Sequence, residues 1–252
     1  MKSDQAQSAS LASERKVSTK MCGIFAIFSS SLPEADLRRE LITCSSRLRH
    51  RGPDWSGYKV IEKDSDKPCA HGIAHERLAI IDPESGSQPL TSHDEEIIVA
   101  ANGEIYNYKE LYASLTKEYT PKTGSDCEVI IPLYQEFGAS VEFVKKLRGM
   151  FSFILYDRHD DSYLIARDHM GKTPLYIGWG NDGSIYVGSE MKSLIGECTK
   201  FQNFPPGHIY CSKGPKAGEF QRWYEPNWAP EMKPGVPLPK EKFQAVRVCR
   251  NF

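Results

Sequence analysis

Residues 23–28 read Gly-Ile-Phe-Ala-Ile-Phe, and this run restricts the fold more than any other feature of the chain. A strand packed on one face alternates apolar and polar residues. This one has no polar residue, so it has no wet face and must be covered on both sides. Directly before it stand Met21 and Cys22. If Cys22 becomes the first residue of the polypeptide, it carries a thiol with a free pKa of about 8.5 and an α-amine that titrates near about 8. The amine then takes the thiol proton, directly or through a water, and one residue supplies nucleophile and base. The plainer alternative is a buried cysteine opening a core strand.

Composition closes off several classes. Of the 252 residues, 40% are hydrophobic, enough for a packed core, and 32 Lys and Arg against 33 Asp and Glu leave a formal charge of -1. No basic field draws the chain to nucleic acid. The seven cysteines are scattered without a CxxC pair, which argues against a zinc site or a disulfide framework and for a reducing compartment, with the cytosol expected. No apolar run approaches the roughly 18 residues of a membrane span. Residues 1–20 (MKSDQAQSASLASERKVSTK) hold no apolar h-region, so a secretory signal is not expected. They read as a disordered or cleavable extension, with an organelle-targeting segment as the alternative. While they stay attached, Cys22 has an amide nitrogen and no amine.

Along the chain, Ser31-Leu32-Pro33-Glu34 has the spacing of a capping box. Leu37, Leu41, Cys44 and Leu48 continue with helical periodicity to about Arg49, where His50-Arg51-Gly52-Pro53 breaks it. Strands are expected at 57–62, 72–82 and 97–101, the last followed by Asn102-Gly103, a pair that by itself most often makes a tight turn. A helix is expected over 107–118. A second capping-box pattern at Ser125-Asp126-Cys127-Glu128 opens another helix through Phe137, and 141–147 suits a short third. From Met150 the texture changes to short strands separated by Asp, Gly and Asn turns, FSFILYD, SYLIARD, PLYIGW and SIYVGSE, at the spacing of an antiparallel sheet. One helical turn is expected at 191–195, and two more short strands at 207–211 and 220–224. Pro226, Pro230, Pro234, Pro237 and Pro239 give residues 225–252 the composition of a linker.

Eight stretches in fixed order carry a family resemblance: MCGIFAIF (21–28), RHRGPDWSG (49–57), AHERLAIID (74–82), ANGEIYN (101–107), TGSDCEVI (123–130), LRGMFSFILYD (147–157), ARDHMGKTPLY (166–176) and SEMKSL (189–194). Together they resemble the glutamine-hydrolysing domain of asparagine synthetase, a class II glutamine amidotransferase, over residues 21–224. The resemblance implies an α+β fold of the N-terminal-nucleophile hydrolase type, a four-layer αββα sandwich of two antiparallel sheets between helices. It implies Cys22 as nucleophile, with Asn102 and the backbone N–H of Gly103 as oxyanion hole. Arg77 matches the position that grips the α-carboxylate of glutamine, where a planar guanidinium fork suits better than an ammonium. Leu78, Ala79, Ile80 and Ile81 follow at the edge of that pocket. Glu104 and Asp126 match acceptors for the α-ammonium, and Arg51 and Asn107 match supporting positions. His75 and His169 are expected to be structural, because the amine of Cys22 takes the place of histidine.

Each of these residues also has a plain reading. Arg77 beside Glu76 suits an exposed ion pair, Asp126 a first-turn helix acid, and Asn102-Gly103 a hairpin turn. The resemblance implies no cofactor for glutamine hydrolysis; ATP and Mg²⁺ belong to a synthetase domain whose Ser-Gly-Gly-x-Asp-Ser loop is not in this sequence. Expected partners are glutamine, a synthetase domain or full-length subunits, and a second copy of the chain; nucleic acid and membrane are not expected. Two other readings stand beside hydrolysis: a catalytically silent domain serving binding or subunit interaction, and an amidotransferase of the same class serving an amino-sugar or purine pathway.

Overall fold

The computed structural model describes residues 21–62, 69–78 and 88–225. In chain order it contains β1 (Gly23–Ser30), helix α1 (Glu34–Ser46), β2 (Trp55–Ile61), β3 (Ala70–Arg77), β4 (Leu90–Thr91), β5 (Ile97–Ile105) and α2 (Tyr108–Ser114). After a 3-10 turn at Asp126–Val129 come α3 (Ile130–Phe137) and α4 (Val141–Lys145). The rest is mostly strand: β6 (Gly149–Asp157), β7 (Ser162–Arg167), β8 (Tyr176–Trp179), β9 (Ile185–Gly188), β10 (Lys200–Asn203), β11 (His208–Cys211) and β12 (Phe220–Arg222). The strands form two six-stranded sheets, in the orders β10-β8-β9-β1-β3-β2 and β12-β11-β7-β6-β5-β4, with antiparallel neighbours throughout.

The absence of a wet face on β1 has a direct cause. Ile24, Ala26 and Phe28 point into the layer between the sheets, against Ile154, Tyr156, Tyr163 and Ile165. Phe25 and Ile27 point the other way, onto Leu37, Leu41 and Cys44 of α1. Burying each large apolar side chain contributes about 1.5–3 kcal/mol, so α1 and the second sheet both hold β1 in place. The outer face of the second sheet is covered in turn by Ile130, Leu133, Phe143 and Val144 of α3 and α4. Helix, sheet, sheet and helices make the expected four layers.

Several local expectations change. Neither capping box closes. Helix α1 starts after Pro33 without a side-chain cap, and Ser31 bonds Asp182 instead. Ser125 does not cap the 3-10 turn, and Glu128 reaches further back, taking the N–H groups of Lys122 and Thr123 and the hydroxyls of Thr123 and Tyr119. The expected strand at 97–101 runs on to Ile105, straight through Asn102-Gly103, because β6 pairs with it along its whole length. The expected helix 107–118 ends at Ser114. The outermost strand of the first sheet, β10, carries no alternation and was not expected from sequence; all four of its residues are exposed. Residues 79–82 of the expected third strand, the 1–20 extension and the Pro-rich 226–252 lie outside the described residues.

Candidate active site

Cys22 stands one residue before β1, at the edge where β1, β3 and the second half of β5 end together. Its Sγ accepts the Leu78 N–H at 3.3 Å and lies 3.7 Å from the Leu78 carbonyl. Two segments hold this end of β1. Ser189 bonds Ile24 twice, its Oγ accepting the Ile24 N–H at 2.9 Å and its own N–H donating to the Ile24 carbonyl at 3.0 Å. Arg51, past the end of α1, donates from Nε to the Cys22 carbonyl at 3.0 Å and from Nη1 to Glu190 at 2.9 Å. The breaker sequence after α1 has a steric reason. A Cβ on Gly52 would sit 2.1 Å from the Glu76 carbonyl oxygen, so only glycine lets this loop press onto the end of β3.

The electrostatics of the nucleophile follow from these contacts. Burial pushes the Cys22 thiol above its ordinary range, opposed by the Leu78 N–H and then by the guanidiniums of Arg77 and Arg51. The resting group is therefore a thiol at neutral pH and needs a base to become a nucleophile. His75 does not serve. It is fully buried on β3, and its Nε2–H donates to the Ala101 carbonyl at 2.9 Å. Burial drives its pKa down to about 4, so it stays neutral. His169 packs its ring on Trp223 and Tyr224. Glu190 is the anchor for Arg51. Burial alone would raise its carboxyl, but Arg51, Lys192 and His50 together hold it below the usual range.

One pocket is lined by Cys22, Arg77, Leu78, Gly103, Glu104 and Asp126, together with Gln88, Ala101, Ser125 and Cys127. Asn102 sits on β5 between two lining residues. It is 1% exposed, and its Nδ2 is buried with no hydrogen-bond partner among the described residues. A buried amide donor left unpaired is costly, which marks it as a group waiting for an acceptor. Gly103 has φ +143°, and a Cβ there would lie 2.0 Å from the Met150 carbonyl oxygen. Asp126 accepts the Ile105 N–H at 2.5 Å; burial pushes its carboxyl up, and the Glu104 carboxylate adds to that. Two acids and one arginine in a small pocket suit a ligand with an ammonium at one point and a carboxylate at another.

Among the residues named from sequence, the pocket lining thus gathers Cys22, Arg77, Leu78, Gly103, Glu104 and Asp126, with Asn102 between two lining residues on β5 and Arg51 on the Cys22 backbone. It does not bring Asn107 to the pocket lining. The Asn107 side chain instead clips α2 to the start of β6, donating to the Lys146 carbonyl at 3.0 Å and accepting the Arg148 N–H at 2.9 Å. Ala79, Ile80 and Ile81 lie outside the described residues. Sequence reasoning missed Glu190, Ser189, Cys127 and Gln88. Ser189, Glu190 and Cys127 lie within stretches quoted above, but a carboxylate that gathers Arg51, Lys192 and His50 around it has no periodic signature. Among the described residues, no group of three His, Cys, Asp or Glu side chains is placed to hold a metal ion.

Comparison with known proteins points the same way. A family model described as a glutamine amidotransferase domain matches residues 21–207. The asparagine synthetase [glutamine-hydrolyzing] of Sandersonia aurantiaca is 51% identical over 218 residues, covering 86% of this chain and 39% of that protein. Asparagine synthetase [glutamine-hydrolyzing] 1 of Arabidopsis thaliana is 50% identical over 232 residues, covering 92% of this chain and 37% of that protein. The chain thus spans less than two fifths of the length of these relatives. Among solved structures, the glutamine phosphoribosylpyrophosphate amidotransferase from B. subtilis complexed with ADP and GMP superposes with a TM-score of 0.63 at 22% identity, covering 81% of this chain and 49% of that one. An allosteric regulatory enzyme of purine biosynthesis gives 0.64 at 21%, with the same coverage. At these identities the likeness is one of fold.

Proposed function

The chain belongs to the glutamine amidotransferase domain family, and from that membership we propose that its pocket hydrolyses glutamine to glutamate and ammonia, with Cys22 as nucleophile. The observation that carries the reading is the Cys22 thiol, 3.3 Å from the Leu78 N–H, in a pocket that also holds Arg77, Gly103, Glu104 and Asp126, with the amide of Asn102, on the strand between Ala101 and Gly103, unpartnered among the described residues. Arg77 takes the α-carboxylate of glutamine and Glu104 and Asp126 its α-ammonium, which orients the side-chain amide toward Sγ. The α-amine of Cys22, once exposed, accepts the thiol proton. Sulfur adds to the amide carbon, and the new oxyanion is held by Asn102 Nδ2 and the Gly103 N–H. The C–N bond breaks, nitrogen leaves as ammonia with the proton returned to it, and water hydrolyses the γ-glutamyl thioester to glutamate and free thiol.

The ammonia is proposed to serve asparagine synthesis, with ATP- and Mg²⁺-dependent activation of aspartate carried out by a synthetase portion such as that of the longer relatives. No cofactor takes part in the hydrolysis itself. The proposed partners beyond glutamine are such a synthetase portion, full-length subunits or a second copy of the chain. Among the described residues all six cysteines are free thiols, which supports a reducing compartment such as the cytosol.

The test is glutamate release by the chain before and after trimming to a Cys22 N-terminus. Activity is expected only after trimming and is expected to vanish in Cys22→Ala. Equal turnover by Cys22→Ala refutes the reading. A second reading, a silent binding domain, is favoured by one fact: in the chain as it stands Met21 precedes Cys22, so the nitrogen is an amide. A trimmed protein that binds glutamine without turning it over selects that alternative.

A further inference from the structure

The geometry points to Gln88 as a residue that binds the substrate carboxylate beside Arg77, an inference that rests on the proposed glutamine pocket. Gln88 lines the pocket with Cys22 and Arg77. Its Oε1 accepts the Ala101 N–H at 2.8 Å. A backbone N–H can only donate, so this bond fixes which way round the carboxamide sits, with the oxygen on Ala101 and the two N–H donors on the remaining edge. The residue is also held by its backbone. It lies two positions before Leu90, which pairs with Val99, and therefore faces Ala101 beyond the end of β4. A Cβ on Gly57 would come within 2.0 Å of the Gln88 carbonyl oxygen, so β2 presses directly on it.

An acceptor for Ala101 alone requires only an oxygen. The second half of the carboxamide is a neutral pair of donors in a pocket whose lining, among the described residues, has a single cation, Arg77, and two acids, Glu104 and Asp126. An ionised carboxylate has about four lone-pair sites, and one guanidinium fork occupies two of them. A neutral donor beside the arginine satisfies another without disturbing the charge balance against the substrate ammonium. Gln88 thereby favours a ligand with a free α-carboxylate over one in which that group is blocked.

The experiment is calorimetric titration of glutamine into the full chain, comparing wild type with Gln88→Glu and Gln88→Lys, and the melting temperature of each. Gln88→Glu keeps an oxygen for the Ala101 N–H and replaces the donors with an anion. Gln88→Lys abandons Ala101 and keeps donors. If Gln88 binds the carboxylate, Gln88→Glu weakens glutamine binding by about tenfold or more, the usual worth of a hydrogen bond to a charged group, with an unchanged melting temperature. Gln88→Lys binds better than Gln88→Glu even if it melts earlier. If Gln88 only supports Ala101, the ranking reverses, with Gln88→Glu binding as wild type does and Gln88→Lys impaired. That reversal, or unchanged affinity in Gln88→Glu, overturns the assignment of Gln88 while leaving the glutamine pocket intact. A wild-type chain that binds no glutamine overturns the pocket reading and this inference with it.

Discussion

Asn102→Ala separates a catalytic donor from a structural one, because among the described residues Asn102 Nδ2 has nothing to bond. A buried, unsatisfied donor costs about 1–3 kcal/mol relative to a paired one, so removing it relieves the folded state. The alanine leaves a small cavity, which works in the opposite direction by a similar amount. The expected net change in stability is therefore within about 1 kcal/mol, well below the 2–3 kcal/mol typical of truncating a satisfied buried polar residue. The effect on turnover is of another size. The bond to the oxyanion forms only as sulfur adds to the amide carbon, and losing one such donor costs about 10²–10³ in kcat. Because glutamine in its ground state does not use this bond, KM should barely move. The assay is glutamate release by the protein opening at Cys22, with urea unfolding in parallel. A folded Asn102→Ala variant whose kcat stays within about threefold of wild type refutes the oxyanion assignment. A stability loss above about 3 kcal/mol would show that the Nδ2 group has a structural partner after all.

Three further outcomes follow from the same geometry. Gly103→Ala should lose more than about 3 kcal/mol of stability in urea unfolding, since its Cβ would lie 2.0 Å from the Met150 carbonyl oxygen in a backbone at φ +143°; a stable variant would mean that β5 and β6 can separate at little cost. Glu190→Gln should leave the melting temperature nearly unchanged and lower kcat by about tenfold, because Arg51 loses the carboxylate that aims it at the Cys22 carbonyl and misplacement of a nucleophile is expensive in rate; undiminished kcat would remove Glu190 from the machinery. His75 gives a pH signature. Its folded pKa of about 4 lies below its ordinary value of 6.5, so as pH falls the unfolded chain takes up the proton first. Stability from this group is intact above pH 6.5 and is lost progressively toward about pH 4, roughly 3 kcal/mol in full. Denaturant midpoints across that window should show the loss in wild type and a flatter profile in His75→Gln.

What the sequence made legible were residues whose chemistry and whose backbone role coincide. Residues 23–28 announced a strand covered on both faces, and its alternate side chains do go to α1 and to the opposite sheet. The same holds for the leucines of α1, at a helical spacing that admits few other structures. Capping motifs failed because side-chain oxygens are promiscuous. Ser31 finds Asp182 across the chain, and Glu128 finds the loop at Lys122 and Thr123, neither of which a local pattern reveals. Asn102-Gly103 is the most instructive case. Local turn chemistry favours a hairpin there, and tertiary pairing with β6 overrides it, so that the pair lies in an extended strand.

That override is also what makes the pair useful. In a turn, the Asn102 side chain would face water and satisfy its donors at once. Inside β5 it points into the layer between the sheets, where β6 offers Ser152 directly opposite, a hydroxyl that is itself buried and unbonded among the described residues. The strand thus leaves the amide buried and without a partner among the described residues. The next residue has to be glycine because its backbone runs against Met150. An unsatisfied donor in a strand interior is destabilising on its own terms, and the surrounding layers keep it in place by burying Ala100 and Ile98 on the same face and Ala101 and Val99 on the other. Sequence can supply the residue types for such a site. Whether the amide is left waiting or is paired depends on a partner fifty residues away, and only the sheet register settles that.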